Sequence, residues 1–177
     1  MNNSSTPTSD QSRPRSVAEV NWDSWKFTEE AVLCFIRSEE RLLLIHKKTG
    51  LGKGKVNAPG GRIEKGEKPL DAAVRETVEE THVTPSQLEF AAELQFIFTD
   101  GYSLKGLVYF ASRHEGTPTE TSEADPFWCP VDSIPYEKMW ADDIHWLPRV
   151  LKGEKVRGRF IFEDDTMLDL EVEECSL

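Results

Sequence analysis

The apolar runs AVLCFI at 31–36 and LLLI at 42–45 flank the charged turn SEER, so this stretch reads as two strands of a hairpin. The following segment, GLGKGKVNAPGG, carries five glycines and a proline in twelve residues. That composition predicts a loop whose backbone can approach a ligand closely. Pro69 is suited to a first helical position, where its missing N–H would have had no partner. LDAAVRETVEET then continues with good helix formers, and no breaker follows until Pro85, so a helix is expected over Pro69–Thr81. Further strands are expected at 92–98, 107–111, 127–131, 159–162 and 167–172, and a helix at 142–152 that Pro148 interrupts or kinks. Strands outnumber helices without a βαβ alternation. The predicted class is α+β, a mixed β-sheet sandwiched between α-helices.

The ends of the chain refine this picture. Residues 1–20 are rich in Ser, Thr, Asn and Pro and hold almost no large apolar side chain. Such a segment cannot offset its ordering entropy by burial, and a mobile tail is expected there. Trp22, Trp25 and Phe27 mark entry into a single domain expected to span 21–177. With hydrophobic residues at 38% of the chain, there is enough material for a core.

Charge and cysteine content exclude some function classes. The net charge of −11 repels a polynucleotide backbone and argues against a dedicated nucleic-acid-binding module. It also means that an anionic substrate needs a metal ion or a local basic cluster to be held. Cys34, Cys129 and Cys175 are an odd set with no C-x-x-C spacing, which fits neither a zinc site nor a disulfide framework. A reducing compartment follows, and with no apolar stretch of membrane-spanning length and no secretory signal at the N-terminus, the expected location is cytoplasmic.

The chemistry concentrates in Gly61-Arg-Ile-Glu-Lys-Gly-Glu67 and, after seven residues, Arg75-Glu76-Thr77-Val78-Glu79-Glu80. Glu76, Glu79 and Glu80 stand at i, i+3 and i+4 and share one helical face. Like charges at that spacing repel, and the nearby helix C-terminus disfavours anions as well. A hard divalent cation with oxygen ligands would compensate, Mg²⁺ first and Mn²⁺ as an alternative. A solvated acidic face is the competing reading of the three glutamates alone.

The full spacing resembles the box of the Nudix hydrolases, with Gly61, Glu67, Arg75, Glu76, Glu79, Glu80 and Val83 at the family positions. Two residues depart from it. Thr77 replaces an aliphatic residue, and His82 stands where glycine commonly adopts a left-handed conformation after the helix. The resemblance implies a Nudix fold and metal binding by Glu76, Glu79, Glu80 and the carbonyl of Gly60. It also implies Arg75 pairing with Glu67 or orienting a ligand carboxylate, Glu123 as a further glutamate from a later loop, and in-line attack by activated water on phosphorus.

The similarity continues past the box. VNAPGG (56–61), GTPTETSEADPFW (116–128), SIPYEKMW (133–140), the stretch 139–148 and a C-terminal hairpin from Gly158 resemble the MutT-type oxidised-purine nucleoside triphosphatases of the animal kind. This implies Trp140 stacked on a purine, Asp142 and Asp143 bonding its edge, Asn57 opposite them, and Lys47, Gly60, Gly61 and Phe96 lining the same pocket. Two adjacent carboxylates facing one ligand cannot both ionise cheaply, so one is expected to hold a proton and donate it. Leu51 and Val56 replace aromatic residues of those relatives, and Ala141 replaces a proline, which implies a roomier pocket. The expected reaction converts an oxidised purine nucleotide such as 8-oxo-dGTP or 2-hydroxy-dATP to the monophosphate and pyrophosphate. ADP-ribose, dinucleoside polyphosphates or an RNA 5′ end are the alternative substrates, with a non-catalytic binding module disfavoured by the three intact glutamates. A small purine nucleotide is the expected partner and a monomer the expected state.

Overall fold

In the computed structural model, residues 13–176 are described. Strands β1 (Glu29–Ser38) and β2 (Arg41–Lys47) form the expected hairpin, but they pair only at its tip, through Arg37 with Leu42 and Ser38 with Arg41. Beyond the tip each strand finds other partners. β2 pairs antiparallel with β3 (Val56–Asn57) on one side and β7 (Ala124–Pro130) on the other. β1 pairs antiparallel with β4 (Gly60–Arg62) and parallel with β6 (Ser103–Glu115). β6 runs antiparallel to β5 (Thr84–Phe98), β5 parallel to β8 (Val156–Glu163), and β8 antiparallel to β9 (Thr166–Glu174). The outcome is a mixed sheet with two helices, α1 (Pro69–Thr81) and α2 (Asp143–Leu151), as the α+β reading expected.

The period of two in a strand decides which helix each side chain meets. On β1, Val32, Cys34 and Ile36 pack with Ala72 and Ala73 of α1. Phe35, one residue out of phase, packs with Trp146 and Leu147 of α2. β5 would follow the same rule but for a bulge between Phe90 and Ala92, where the pairing passes from Tyr109 to Val108. Phe90 therefore belongs to the α1 face, while Ala92, Leu94 and Phe98 belong to the α2 face. One extra residue exchanges the two faces along a single strand.

The helix ends follow from local chemistry. α1 begins at Pro69 and stops at His82, whose backbone is left-handed (φ 61°) and whose N–H bonds to the Val78 carbonyl. Thr77 is fully buried, yet its hydroxyl donates to the Ala73 carbonyl at 2.7 Å, which satisfies it where the family pattern has an aliphatic residue. α2 tolerates Pro148 in its interior, and Ile144, the residue whose carbonyl loses its partner, is 53% exposed and within reach of water.

The expected tail of residues 1–20 divides. Residues 1–12 lie outside the described residues, but 13–20 are docked on the domain. Val17 packs against Ile97 and Ile161, its N–H donates to Asp169 at 2.7 Å, and Arg13 donates to the Thr99 carbonyl at 2.5 Å. The physical reason lies in the sheet. Ile97 and Ile161 are on the face that α1 covers further along, and this segment, with Trp22 and Trp25, covers them instead. Among the described residues, no helix is long and apolar enough to cross a membrane.

Candidate active site

The diverging arms of the β1–β2 hairpin are both represented in the wall of one cavity of about 350 Å³, through Leu33 of β1 and Lys47 of β2, with Gly60 of β4 and Asn57 of β3 beside them. Its acidic end is built by α1 and the loop before β7. Glu76, Glu80 and Glu123 all line it. Glu80 is almost fully buried, and its carboxylate accepts from the Gly60 N–H at 2.9 Å. Burial pushes its pKa up to about 7, against the opposing pull of that N–H and of Lys47, and nearby Glu76 and Glu123 raise it further. Burial likewise raises Glu76, with Glu79 and Glu123 adding to the shift and Arg75 opposing it.

Arg75 organises this end. Its Nε and Nη2 donate to the two oxygens of Glu67 at 2.7 and 2.8 Å, the paired geometry that suits a carboxylate. The guanidinium holds Glu67 down to about 2, and Glu67 in turn raises Arg75 above its ordinary value. Nη1 reaches Glu76 at 2.7 Å and Glu79 at 3.4 Å. The expected Arg75–Glu67 pair is therefore present, with two box glutamates attached to it. Glu79 differs from its neighbours: its side chain is 49% exposed and does not line the cavity.

Several observations bear on whether these residues suit a divalent ion. Among the described residues, no three His, Cys, Asp or Glu side chains converge closely enough to hold a metal ion by themselves. The available donors are nonetheless hard oxygens. Glu123 adds to the raised proton affinity of both Glu76 and Glu80, and Glu76 to that of Glu80, while Arg75 opposes it at Glu76 and Lys47 at Glu80. A cluster that is costly to ionise without added positive charge, next to the Gly60–Gly61 backbone, fits Mg²⁺ or Mn²⁺ in chemistry.

The opposite end of the cavity is aromatic and carries Asp142 and Asp143. Trp140 meets Phe98 and Phe162 edge-on, at 6.1 and 5.5 Å between ring centres. Lys55 stands over the Trp140 ring at 5.0 Å, and Phe96 lines the cavity nearby. Asp142 and Asp143 are 2% and 3% exposed and sit at the start of α2, but neither caps it with its side chain. Asp142 Oδ2 accepts from the Trp146 indole N–H at 3.0 Å, while Asp142 Oδ1 and Asp143 Oδ2 are buried without any partner. Burial raises both carboxyls, and the charge of Asp142 raises Asp143 further. Two unpartnered buried oxygens on a cavity wall are costly unless a ligand supplies their hydrogen bonds.

Lys47, Asn57, Gly60, Gly61, Phe96, Trp140, Asp142 and Asp143, all expected in the pocket from sequence, line this cavity together with Glu76, Glu80 and Glu123. Sequence reasoning missed a polar cluster on the same wall, in which Glu29 accepts from the Tyr102 hydroxyl at 2.6 Å and pairs ionically with Arg62, Nε to Oε2 at 2.9 Å. The three residues are far apart in the chain and belong to no motif, so no local signal marked them.

Comparison with known proteins agrees with this geometry. The NUDIX domain matches residues 28–150, which takes in α1, the cavity and most of α2. The chain belongs to the Nudix family of hydrolases. It is 36% identical over 144 residues to the oxidized purine nucleoside triphosphate hydrolase of Mus musculus, covering 80% of this chain and 92% of that one. It is 39% identical over 124 residues to the protein of the same description from Danio rerio, covering 70% of this chain and 80% of that one. Among solved structures, a mutator MutT protein from Bacillus halodurans superposes with a TM-score of 0.72 at 25% identity, over 82% of this chain and 97% of the other.

Proposed function

We propose that this protein hydrolyses oxidised purine nucleoside triphosphates, such as 8-oxo-dGTP or 2-hydroxy-dATP, to the monophosphate and pyrophosphate. One observation carries the reading: a single cavity joins the carboxylates of α1 to two buried aspartates whose oxygens lack partners. The relatives described as oxidized purine nucleoside triphosphate hydrolases support the same substrate class.

In this mechanism the phosphates lie at the acidic end. Glu76, Glu79, Glu80 and Glu123, with the carbonyl of Gly60, would hold a divalent cation, Mg²⁺ or Mn²⁺. When bound, the cation neutralises phosphate charge and makes water a better nucleophile. Arg75 keeps Glu76 and Glu79 oriented while Glu67 fixes Arg75 in place. Burial raises Glu80's proton affinity to near neutrality in the cation-free site, so binding the cation would displace that proton. Lys47 offsets charge on the phosphates.

The base lies at the other end. Trp140 and Phe96 contact its faces, and Asn57 bonds it from the side opposite the aspartates. One of Asp142 and Asp143 keeps a proton and donates to a base acceptor, while the other accepts from a base N–H. Exchanging which carboxyl is protonated lets the same pocket read oxidised guanine and oxidised adenine. All of these groups come from one chain, so a monomer suffices.

The test is pyrophosphate release from 8-oxo-dGTP, 2-hydroxy-dATP, dGTP, dATP, ADP-ribose and diadenosine polyphosphate with Mg²⁺, for wild type and Glu80→Gln. Glutamine retains the acceptor for the Gly60 N–H, so the fold should survive. Preferential turnover of the oxidised triphosphates, lost in the variant, is the expected result. Turnover of ADP-ribose or the dinucleotide in their place would refute the base pocket.

A further inference from the structure

A nucleotide with its phosphates at Gly61 and Glu76 and its base at Phe96 and Trp140 must cross β1 and β6, and the ladder registers show what it crosses. Ala31 pairs with Arg62 of β4 on one side and Gly106 of β6 on the other. Two residues towards the start of β1, Glu29 pairs with Leu104, and Leu104 pairs with Phe96 of β5. Leu33, Ala31, Gly106 and Leu104 line this crossing and offer no polar side chain. Glu29 is the carboxylate on it, ion-paired with the neighbouring Arg62.

Its environment makes Glu29 an acceptor with one oxygen committed. Oε2 accepts the Tyr102 hydroxyl at 2.6 Å and lies 2.9 Å from Arg62 Nε in an ion pair, while Oε1 receives no hydrogen bond among the described residues. The carboxylate side chain is 24% exposed, and that of Arg62 75%. Burial and Glu29 together push the Tyr102 phenol up to about 12, so it remains a donor and keeps the carboxylate oriented. A carboxylate repels phosphate, so this group does not serve the anionic end. It needs a donor, and between base and phosphates the donors of a nucleotide are the hydroxyls of its sugar.

We propose that Glu29, oriented by Tyr102 and Arg62, accepts a hydrogen bond from a sugar hydroxyl of the bound nucleotide and thereby makes the enzyme sugar-selective. The inference rests on the proposed reaction, because it needs the base and the phosphates at their assigned ends.

The experiment measures kcat/KM for 8-oxo-dGTP, 8-oxo-GTP and the 2′,3′-dideoxy form of 8-oxo-dGTP with wild type, Glu29→Ala, Glu29→Gln and Tyr102→Phe. Wild type should prefer a hydroxylated sugar over the dideoxy one by about tenfold or more, the size expected of a hydrogen bond to a charged group. Glu29→Ala should abolish that ratio. Glu29→Gln, still an acceptor, should keep part of it, and Tyr102→Phe should weaken it. Equal losses on all three substrates, or an unchanged ratio in Glu29→Ala, would overturn the sugar assignment while leaving the reaction standing. A wild type that cleaves none of the three but turns over ADP-ribose would overturn both.

Discussion

Gly60 and Gly61 are neighbours in β4, yet replacing each with alanine should have opposite consequences. A Cβ on Gly61 would lie 2.4 Å from the Glu76 carboxyl carbon and 2.6 Å from each of its oxygens. Ordinary contact begins at 3.4 Å, so the carboxylate must retreat by 3.4 − 2.4, about 1 Å. A side-chain end can make that move without disturbing the backbone, and alanine also lowers the entropy of the unfolded chain, worth about 0.4–1 kcal/mol. Stability should stay near that of wild type. Activity should not, because a displacement of about 1 Å in a catalytic group costs on the order of 100-fold in rate. A Cβ on Gly60 meets the Val32 carbonyl at 2.1 Å and Leu33 Cδ2 at 2.9 Å, so backbone must shift. Overpacking of that kind costs about 3 kcal/mol, and unfolding should come roughly 10 °C earlier. Pyrophosphate release and thermal unfolding followed by tryptophan fluorescence, on both variants, separate the two effects. Gly61→Ala working within twofold of wild type, or losing activity only in step with lost stability, would refute the argument.

Other expectations follow from single contacts. His82→Gly relieves a left-handed backbone at the end of α1 and should raise stability by about 1 kcal/mol, a shift of roughly 2–4 °C in Tm, with kcat unchanged. Trp140→Ala should remove the preference for oxidised over unmodified purines more than it lowers kcat on dGTP, as competition between the two substrates would reveal. The aspartate pair makes stability depend on pH. Asp142 and Asp143 have folded pKa values raised above the unfolded value of 3.8, so the folded state binds more protons than the unfolded chain. Their contribution is complete below that value and is lost as pH rises through the raised values. Tm should therefore fall between pH 5 and pH 8, and Asp143→Asn should flatten the decline. A wild-type Tm that rises over this range would contradict the sign.

The parts of this molecule written in adjacent residues could be read in advance. Helix α1 was delimited by Pro69 at its start and by His82 taking the glycine position at its end, both local signals. The Arg75–Glu67 pair and the shared pocket of Asn57, Trp140, Asp142 and Asp143 followed from spacing and from the family resemblance. What stayed hidden depends on partners elsewhere in the chain. β5 was expected from residue 92, yet it starts at Thr84, because Thr84, Pro85 and Ser86 pair with β6 despite their turn-like composition. The glycine-rich segment read as loop contains β3 and β4, made regular by the strands beside them. Residues 13–20 looked like tail because their few apolar side chains count only once Ile97 and Ile161 are known to need cover. Glu29 of β1, Arg62 of β4 and Tyr102 of the β5–β6 turn meet in space, a proximity that sequence spacing does not encode.

The bulge beside Ala91 makes β5 a strand with two addresses, since its earlier residues serve the helix carrying the carboxylates and its later ones the chamber for the base. Odd and even trade meaning there. Deleting Ala91 would heal the bulge, because Phe90 and Ala92 would then follow one another opposite the consecutive Tyr109 and Val108, and Phe96 and Phe98 would keep their place in the chamber. Removing Ala91 and Ala92 together would flip the phase, turning Phe96 and Phe98 out of the chamber and bringing Ile97 into it. The tolerance of this protein to small deletions should therefore alternate with their parity, and the fitness of its active site hangs on a count rather than on the chemistry of the residue at that position.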